Sequence, residues 1–412
     1  MRFDLRNIFY GIAVFLLLCS ACDTANNVNP VYKDYFIKYY GEDGNQEGKD
    51  FVVNSDGTII ILGNTSVSAI SNRIFLIKTD SEGNVIWERR LGINDEQGQD
   101  IEPIISGADA GNFIILSNVK RNAEDSLDIR LTVISPDGDS LKSVLINQYE
   151  SQQGESITPL SDGSYFISGK IINADTLNVE LLIADVEDVL VFRVNTNLVP
   201  TDFFRIGGSS SGSAIKIFEN GANFNYAGYS DELIGEPGAL SDYENNFFFR
   251  QFIDNPNLVS STYAGNSTQH EILESVSKSP SGFFLAIGTQ LTNGGSSKLF
   301  AARLTGNSFI KIEEGVLSSN DELEGVAVAP SGATEFLVLG NKINPGGRDI
   351  WLAKVGITLS VQFTVTFGGS NNDDTASAVA ELPNGNIVIL GTMNLVNQNK
   401  IALIKLKANG EF

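Results

Sequence analysis

Asp56-Gly57-Thr58-Ile59-Ile60-Ile61-Leu62-Gly63 is a turn signal running straight into an apolar strand, and variants of it recur seven times along the chain. Asp-Gly supplies residues that tolerate positive φ, which points to a type I′ hairpin turn. The Ile-rich run has the texture of a strand buried on both faces. The turn glycines are Gly57, Gly111, Gly163, Gly221, Gly282, Gly332 and Gly385, at spacings of 54, 52, 58, 61, 50 and 53 residues. A second glycine follows six residues later at Gly63, Gly169, Gly288 and Gly391, seven later at Gly228 and eight later at Gly340, and only Ser117 breaks the rule. Glycine fills 40 of 412 positions, so agreement on this scale is not accidental.

Three further strands complete each unit. A short strand opens it (Tyr35-Phe-Ile-Lys-Tyr-Tyr-Gly41 in the first), a polar loop and a second strand lead to the glycine turn, and a fourth strand follows the apolar one (Arg73-Ile-Phe-Leu-Ile-Lys-Thr-Asp80). Four strands per unit and seven units predict an all-β chain folded as a seven-bladed β-propeller, with six or eight blades as the neighbouring counts. An open solenoid would need polar caps, and the chain starts and stops within the repeat. Two units carry insertions, Ile171 to Asp185 and Glu232 to Asn246.

The frame D-x-x-G-N-x-x-W, at Asp80-Ser81-Glu82-Gly83-Asn84-Val85-Ile86-Trp87, resembles a degenerate repeat found in many bacterial exported propellers. The resemblance spans nearly all of Tyr35 to Phe412. It implies the fold and is almost silent on activity, because one fold hosts many functions.

The N-terminus carries a processing signal. Arg2 and Arg6 precede an apolar run, Ile8 to Leu18, that is too short to span a bilayer. Cys19-Ser20-Ala21-Cys22 then resembles the lipobox of bacterial lipoproteins, with Cys19 in place of the more usual leucine. The resemblance implies cleavage after Ala21, acylation of Cys22, a tether over residues 22–34 and a single propeller domain over 35–412. It places the chain outside the cytoplasm on a bacterial membrane, with the outer membrane expected. Asp23 is an inner-membrane retention signal only in some bacteria. Both cysteines lie at this junction, so the mature chain can form no internal disulfide.

Removing Met1 to Ala21 takes away two arginines and one aspartate, moving the net charge from −22 to −23. Such acidity excludes nucleic acid as a partner. It also excludes electrostatic attachment to anionic lipid.

Carboxylates recur in the polar stretch after the opening strand in four units: Asp43, Glu47, Asp95, Glu96, Asp321, Glu322, Asp373 and Asp374. Loops that converge on one face of a propeller could hold Ca²⁺ through such oxygens. The simpler reading is that they satisfy backbone N–H groups in turns, and no D-x-D-x-D-G loop is present. His270, the single histidine, reads as an exposed loop residue. Catalysis by a lone histidine would need a nucleophile and an orienting acid, and there is no second histidine for a metal site. Quinone-dependent propeller dehydrogenases are similar in repeat but carry a recurring tryptophan, whereas Trp87 and Trp351 stand alone and read as packing residues.

The expected function is therefore a lipid-anchored, monomeric binding or scaffold protein that presents its loop faces to a glycan, a peptide or a protein, with no catalytic residues. The alternative is an extracytoplasmic polysaccharide hydrolase or lyase. A deep central pocket holding two buried carboxylates of raised pKa would favour the enzyme.

Overall fold

The computed structural model describes residues 35–412 except 67–71, 94, 122–125, 149–150, 174–185, 207–211, 221–222, 232–244, 254, 266–267, 293, 307–309, 319, 357 and 370–371. The expected leader, Cys22 and the expected tether lie outside the described residues, as does most of both insertions.

Among the described residues, twenty-eight strands form seven antiparallel four-stranded sheets. The innermost strands are β2 (Asn45–Val53), β6 (Glu96–Pro103), β10 (Gln152–Pro159), β14 (Gly212–Asn220), β18 (His270–Lys278), β22 (Leu323–Ser331) and β26 (Thr375–Glu381). The second strands are β3 (Ile59–Ser66), β7 (Phe113–Lys120), β11 (Tyr165–Asn173), β15 (Asn223–Ser230), β19 (Phe283–Leu291), β23 (Glu335–Asn344) and β27 (Ile387–Leu395). The third are β4 (Asn72–Thr79), β8 (Leu127–Ile134), β12 (Val186–Val194), β16 (Asn246–Ile253), β20 (Ser297–Thr305), β24 (Gly347–Val355) and β28 (Gln398–Leu406). Outermost are β5 (Val85–Leu91), β9 (Ser140–Ile146), β13 (Pro200–Ile206), β17 (Asn255–Ala264), β21 (Ile310–Val316), β25 (Val361–Phe367) and β1 (Phe36–Tyr40). Each innermost strand touches the next around a closed ring, and β2 touches β26. The chain is a seven-bladed β-propeller.

The blades are offset from the sequence units by one strand. The strand that opens each unit is the outer strand of the preceding blade, so β1 pairs with β28 and completes the last blade. Phe36 lies opposite Lys405, at the bottom of the ring, where the glycine turns sit. The apolar strands are second from the centre, and much of what reads as polar loop is innermost strand. Glu47 and Glu96 lie in β2 and β6. These strands face an open bore on one side, which removes the apolar signal a strand normally carries.

The hydrophobic core is divided into seven wedges, one between each pair of adjacent blades. Each second strand supplies one wall to each of two wedges, so Ile59, Ile60, Ile61 and Leu62 are all at most 1% exposed. Trp351 lies in the wedge between the fifth and sixth blades. Trp87 lies on an outer strand, beneath the third-to-outer turn of the next blade. A Cβ on Gly138 would come within 2.8 Å of its ring. Phe36 meets Gly83 in the same way. The aromatic and the glycine of the D-x-x-G-N-x-x-W frame thus belong to contacts between successive blades.

The turns differ from the type I′ expectation. Gly57 N–H donates to Asn54 O (2.9 Å) and Asn54 N–H to Thr58 O (2.8 Å). Only Gly57, at φ 82°, is left-handed. This is a type I turn closed by one left-handed residue, the three-residue hairpin connection.

Candidate functional site

The second glycine of each unit is explained by a bulge. Every innermost strand skips one residue in register at the same level, between Gly48 and Asp50, Gly98 and Asp100, Gly154 and Ser156, Ala214 and Lys216, Leu273 and Ser275, Gly325 and Ala327, and Ala376 and Ala378. The kink pushes a carbonyl of the innermost strand against the second strand. At Gly169 a Cβ would stand 2.0 Å from Gln153 O. A bulge places two adjacent residues opposite one. Each blade therefore sends two neighbouring side chains into the bore, which encloses about 370 Å³.

The lining is two-sided. Blades one to five contribute Asp50, Asp100, Glu102, Glu155 and Glu274, with Lys49 and Lys216. Blades six and seven send Val326, Ala327, Ser377 and Ala378 to it, while Val328 and Val379 are buried in the inter-blade wedges. On the charged arc Asp100 accepts hydrogen bonds from Ser156 Oγ (2.7 Å) and Ile157 N–H (2.8 Å). Asp50 accepts from Ile101 N–H (3.1 Å) and is hydrogen-bonded to Asp100. Its enclosure and the charge of Asp100 hold the Asp50 carboxyl well above the usual carboxylate range. Lys216 Nζ donates to Glu102 Oε1 (2.8 Å) and lies 3.7 Å from Asp100 Oδ2. Burial alone would lower its pKa, but Glu102 and Asp100 raise it.

A second cluster lies across blades three to five. Burial pushes the Glu155 carboxyl up to about 7, against the pull of Lys170. Burial and the charge of Glu155 push Glu274 up to about 8. Lys170 Nζ pairs with Glu187 (2.7 Å). Burial and the charges of Glu187, Glu155 and Glu274 hold the Tyr229 phenol above its ordinary value. Glu274 is exposed on the bore, and Glu155 is half-buried.

Lys170 and Tyr229 occupy a position that elsewhere does structural duty. The residue after the second glycine is Asn64, Asn118, Thr289, Asn341 or Thr392 in five blades. Each of these five accepts a hydrogen bond from the backbone N–H of Gly98, Gly154, Gly325, Ala376 or Gly48 on the next innermost strand, at 2.8–3.2 Å. In blades three and four the inter-blade tie is given up for an ammonium and a phenol. The same two blades carry the long insertions, which leave from the ends of β11 and β15.

The eight carboxylates predicted from sequence are spread along the top of the ring. Glu96 is fully buried and accepts from Ile93 N–H (3.0 Å) and Ser117 Oγ (2.7 Å). Asp374 is buried and accepts from Gly369 N–H (3.0 Å) and Asn394 N–H (2.8 Å). Asp321 pairs with Lys342 (2.8 Å), and that hydrogen bond lowers its pKa. Glu322 accepts from Ser296 Oγ (3.1 Å). Asp95 is left-handed at φ 62°. Asp43 stands exposed. Glu47 and Asp373 share a depression of about 210 Å³ at the seam between the first and last blades. Among the described residues no three His, Cys, Asp or Glu side chains are placed to hold a metal ion. His270 is exposed at the start of β18 and accepts from Asn245 N–H (3.3 Å).

The bore residues escaped the sequence reading. The signal for them was present in Glu47-Gly-Lys-Asp50, Gln97-Gly-Gln-Asp100 and Gln153-Gly-Glu-Ser156, where the glycine marks the bulge.

No family model matches the chain, and no curated protein sequence matches it. Solved structures do. The polysaccharide lyase Uly1 aligns with a TM-score of 0.54 at 9% identity, covering 90% of this chain and 91% of that one. Hydrazine synthase of Kuenenia stuttgartiensis aligns at 0.52 and 10% identity, covering 85% and 94%. The extracellular region of plexin A4 aligns at 0.52 and 10% identity, covering 88% of this chain and 46% of that one. These likenesses show the β-propeller fold alone.

Proposed function

We propose that this chain is an exported, lipid-anchored binding protein whose ligand occupies the bore of the propeller. One observation carries the reading: the repeat is broken at the bore. Asn or Thr ties adjacent blades together at five junctions, and Lys170 and Tyr229 replace it beside the carboxyls of Glu155 and Glu274. Departures from a locally consistent pattern mark function more often than packing. The top-face carboxylates are largely engaged with their own loops and are secondary to this reading. The lipid on Cys22 would hold the domain at the outer membrane as a monomer.

The test uses mature chain carrying Cys22→Ser, screened against a glycan array and by peptide and protein pull-down, beside the same chain carrying Glu155→Gln and Glu274→Gln. Capture lost in the bore variant supports the reading, and capture unchanged by it removes the bore as the site. Mass spectrometry of the native protein tests the anchor, and an unmodified residue at Cys22 would sink it.

A second reading is an extracytoplasmic polysaccharide hydrolase, favoured by the same two carboxyls. An acid titrating near 7 or 8 is still protonated where most carboxylates are not, as a general acid must be. Release of reducing ends from neutral polysaccharides, abolished by Glu274→Gln, would establish it.

A further inference from the structure

We propose that a linear, neutral oligosaccharide lies along the top face over blades one and two, in a track of side-chain amides that leads down into the bore. The inference rests on the reading of the bore as the ligand site and names the ligand class and its path to that site.

Three cavities adjoin one another. The depression of about 210 Å³ over blade one has Asn72 and Gln97 in its wall. A second depression, of about 220 Å³ over blade two, shares both residues and is also walled by Gln99 and Gln153. Gln99 in turn lines the bore. Asn72 heads the third strand of blade one, and Gln97 and Gln99 flank the bulge glycine Gly98 of blade two. Each depression alone is smaller than a pocket for a compact ligand, about 300–1,000 Å³. Joined to each other and to the bore, they suit an extended chain.

Blade six carries the arrangement that is missing here. Glu324, just before its bulge glycine, pairs with Arg348 near the head of the third strand (3.0 Å). The matching residues are Glu47 and Asn72 in blade one and Gln97 and Leu127 in blade two, and neither couple can form an ion pair. Among the described residues the side-chain amides of Asn72, Gln97 and Gln99 make no hydrogen bond. The top of blade six is satisfied from within, whereas that of blades one and two is left open to a guest.

The chemistry of the walls selects the guest. A free amide offers two N–H donors and an acceptor oxygen, which matches hydroxyl groups that both donate and accept. Charge on the walls is balanced: Glu47 pairs with Lys49 (2.7 Å), Asp373 lies 3.5 Å from Arg348, and Asp95 and Lys120 add one charge of each sign. Such walls favour neither a polyanion nor a polycation. Among the described residues Leu127 is the one apolar side chain lining the two depressions, so the apolar side chains of a peptide would find no pocket there. Gln97 and Gln153 hold the same place on successive blades, each just before the bulge glycine. The contacts therefore recur from blade to blade, as the units of a polymer do.

The test is isothermal titration of cello-, malto-, manno- and xylo-oligosaccharides, two to eight units long, into mature Cys22→Ser protein. In at least one series affinity should rise with chain length and then level off. Asn72→Ala with Gln97→Ala should weaken the longest binder by about tenfold and leave its disaccharide unchanged. That variant should melt with the parent, because neither side chain is bonded in the free protein. Glu155→Gln with Glu274→Gln should weaken both lengths. Absence of saturable binding at millimolar concentration in every series, affinity indifferent to chain length, or parental binding by the amide variant would each overturn the proposal. If sugar binding or peptide capture then still depends on Glu155 and Glu274, the track alone fails and the bore remains the site. If long-chain binding follows the amide variant but ignores the bore variant, the bore reading falls and takes the inner end of the chain with it.

Discussion

Asn64 spans the seam between the first two blades with both ends of its amide, accepting from Gly98 N–H at 2.8 Å and donating to Gly98 O at 3.2 Å. Asn118 does the same to Gly154 one blade on, at 2.8 and 3.1 Å. One side chain thus completes the hydrogen bonding of a residue whose own strand is kinked by a bulge.

Removing that amide leaves a buried donor and a buried acceptor unmet. Asn64→Ala should lower stability by about 2–3 kcal/mol, since each unsatisfied group costs about 1–3 kcal/mol. Asn64→Asp keeps the acceptor and should recover part of the loss. Urea unfolding of the three proteins measures the difference. A change within error for Asn64→Ala would mean the seam is held by its apolar wedge alone.

Two glycine-to-alanine substitutions should separate steric from conformational demand. At Gly169 the new methyl would meet the fixed carbonyl of Gln153, and the cost should be about 2–3 kcal/mol. At Gly111, φ is 86° and nothing lies within 4 Å of the methyl position, so the cost should be about 1 kcal/mol. Equal losses in thermal unfolding would refute the bulge as the reason for the second glycine.

Neighbouring acids of the top face should behave very differently. Glu96→Ala removes the acceptor that holds Ile93 N–H and Ser117 Oγ and should destabilise by about 3 kcal/mol. Asp43→Ala, on an exposed loop, should stay within about 0.5 kcal/mol of the parent. Matched denaturation curves give the comparison.

The bore acids set a pH dependence of known sign. Glu155 and Glu274 are raised from 4.5 to about 7 and about 8. Between those limits the folded chain holds protons that the unfolded chain has released, so stability falls as pH rises from about 4.5 to about 8 and then levels off. Glu155→Gln with Glu274→Gln should melt higher than the parent at pH 8.5 and at the same temperature near pH 4.5. Asp162, Asp321 and Glu335 are lowered instead, and they oppose this trend only at acid pH.

The architecture was legible because it is written many times over. The glycine spacing fixes the number of blades even though Gly221 lies outside the described residues and Ser117 departs from the pattern. Strand position within a blade was harder to read, because a repeat has no marked beginning and only pairing shows that β1 belongs with β28. The bore was hidden for a different reason. Glu155 and Glu274 are polar residues in strands with one wet face, and such strands look like loops when apolar alternation is the signal. Their raised titration comes first from enclosure by other blades and then from charges far off in sequence, Glu155 and Glu324 in the case of Glu274.

Closing the ring with β1 has a mechanical meaning. That five-residue strand is the first element after the proposed anchor, and it enters from the bottom of the ring, opposite the top-face loops and the strand ends from which the insertions leave. With Cys22 embedded in a membrane, any drag on the propeller is borne first by the ladder between β1 and β28, together with the Tyr40 hydroxyl bond to Gly83 O (2.8 Å). The same strand would then moor the molecule and latch the ring shut, so force strong enough to tear the domain from its lipid would open the bore before unravelling any other blade.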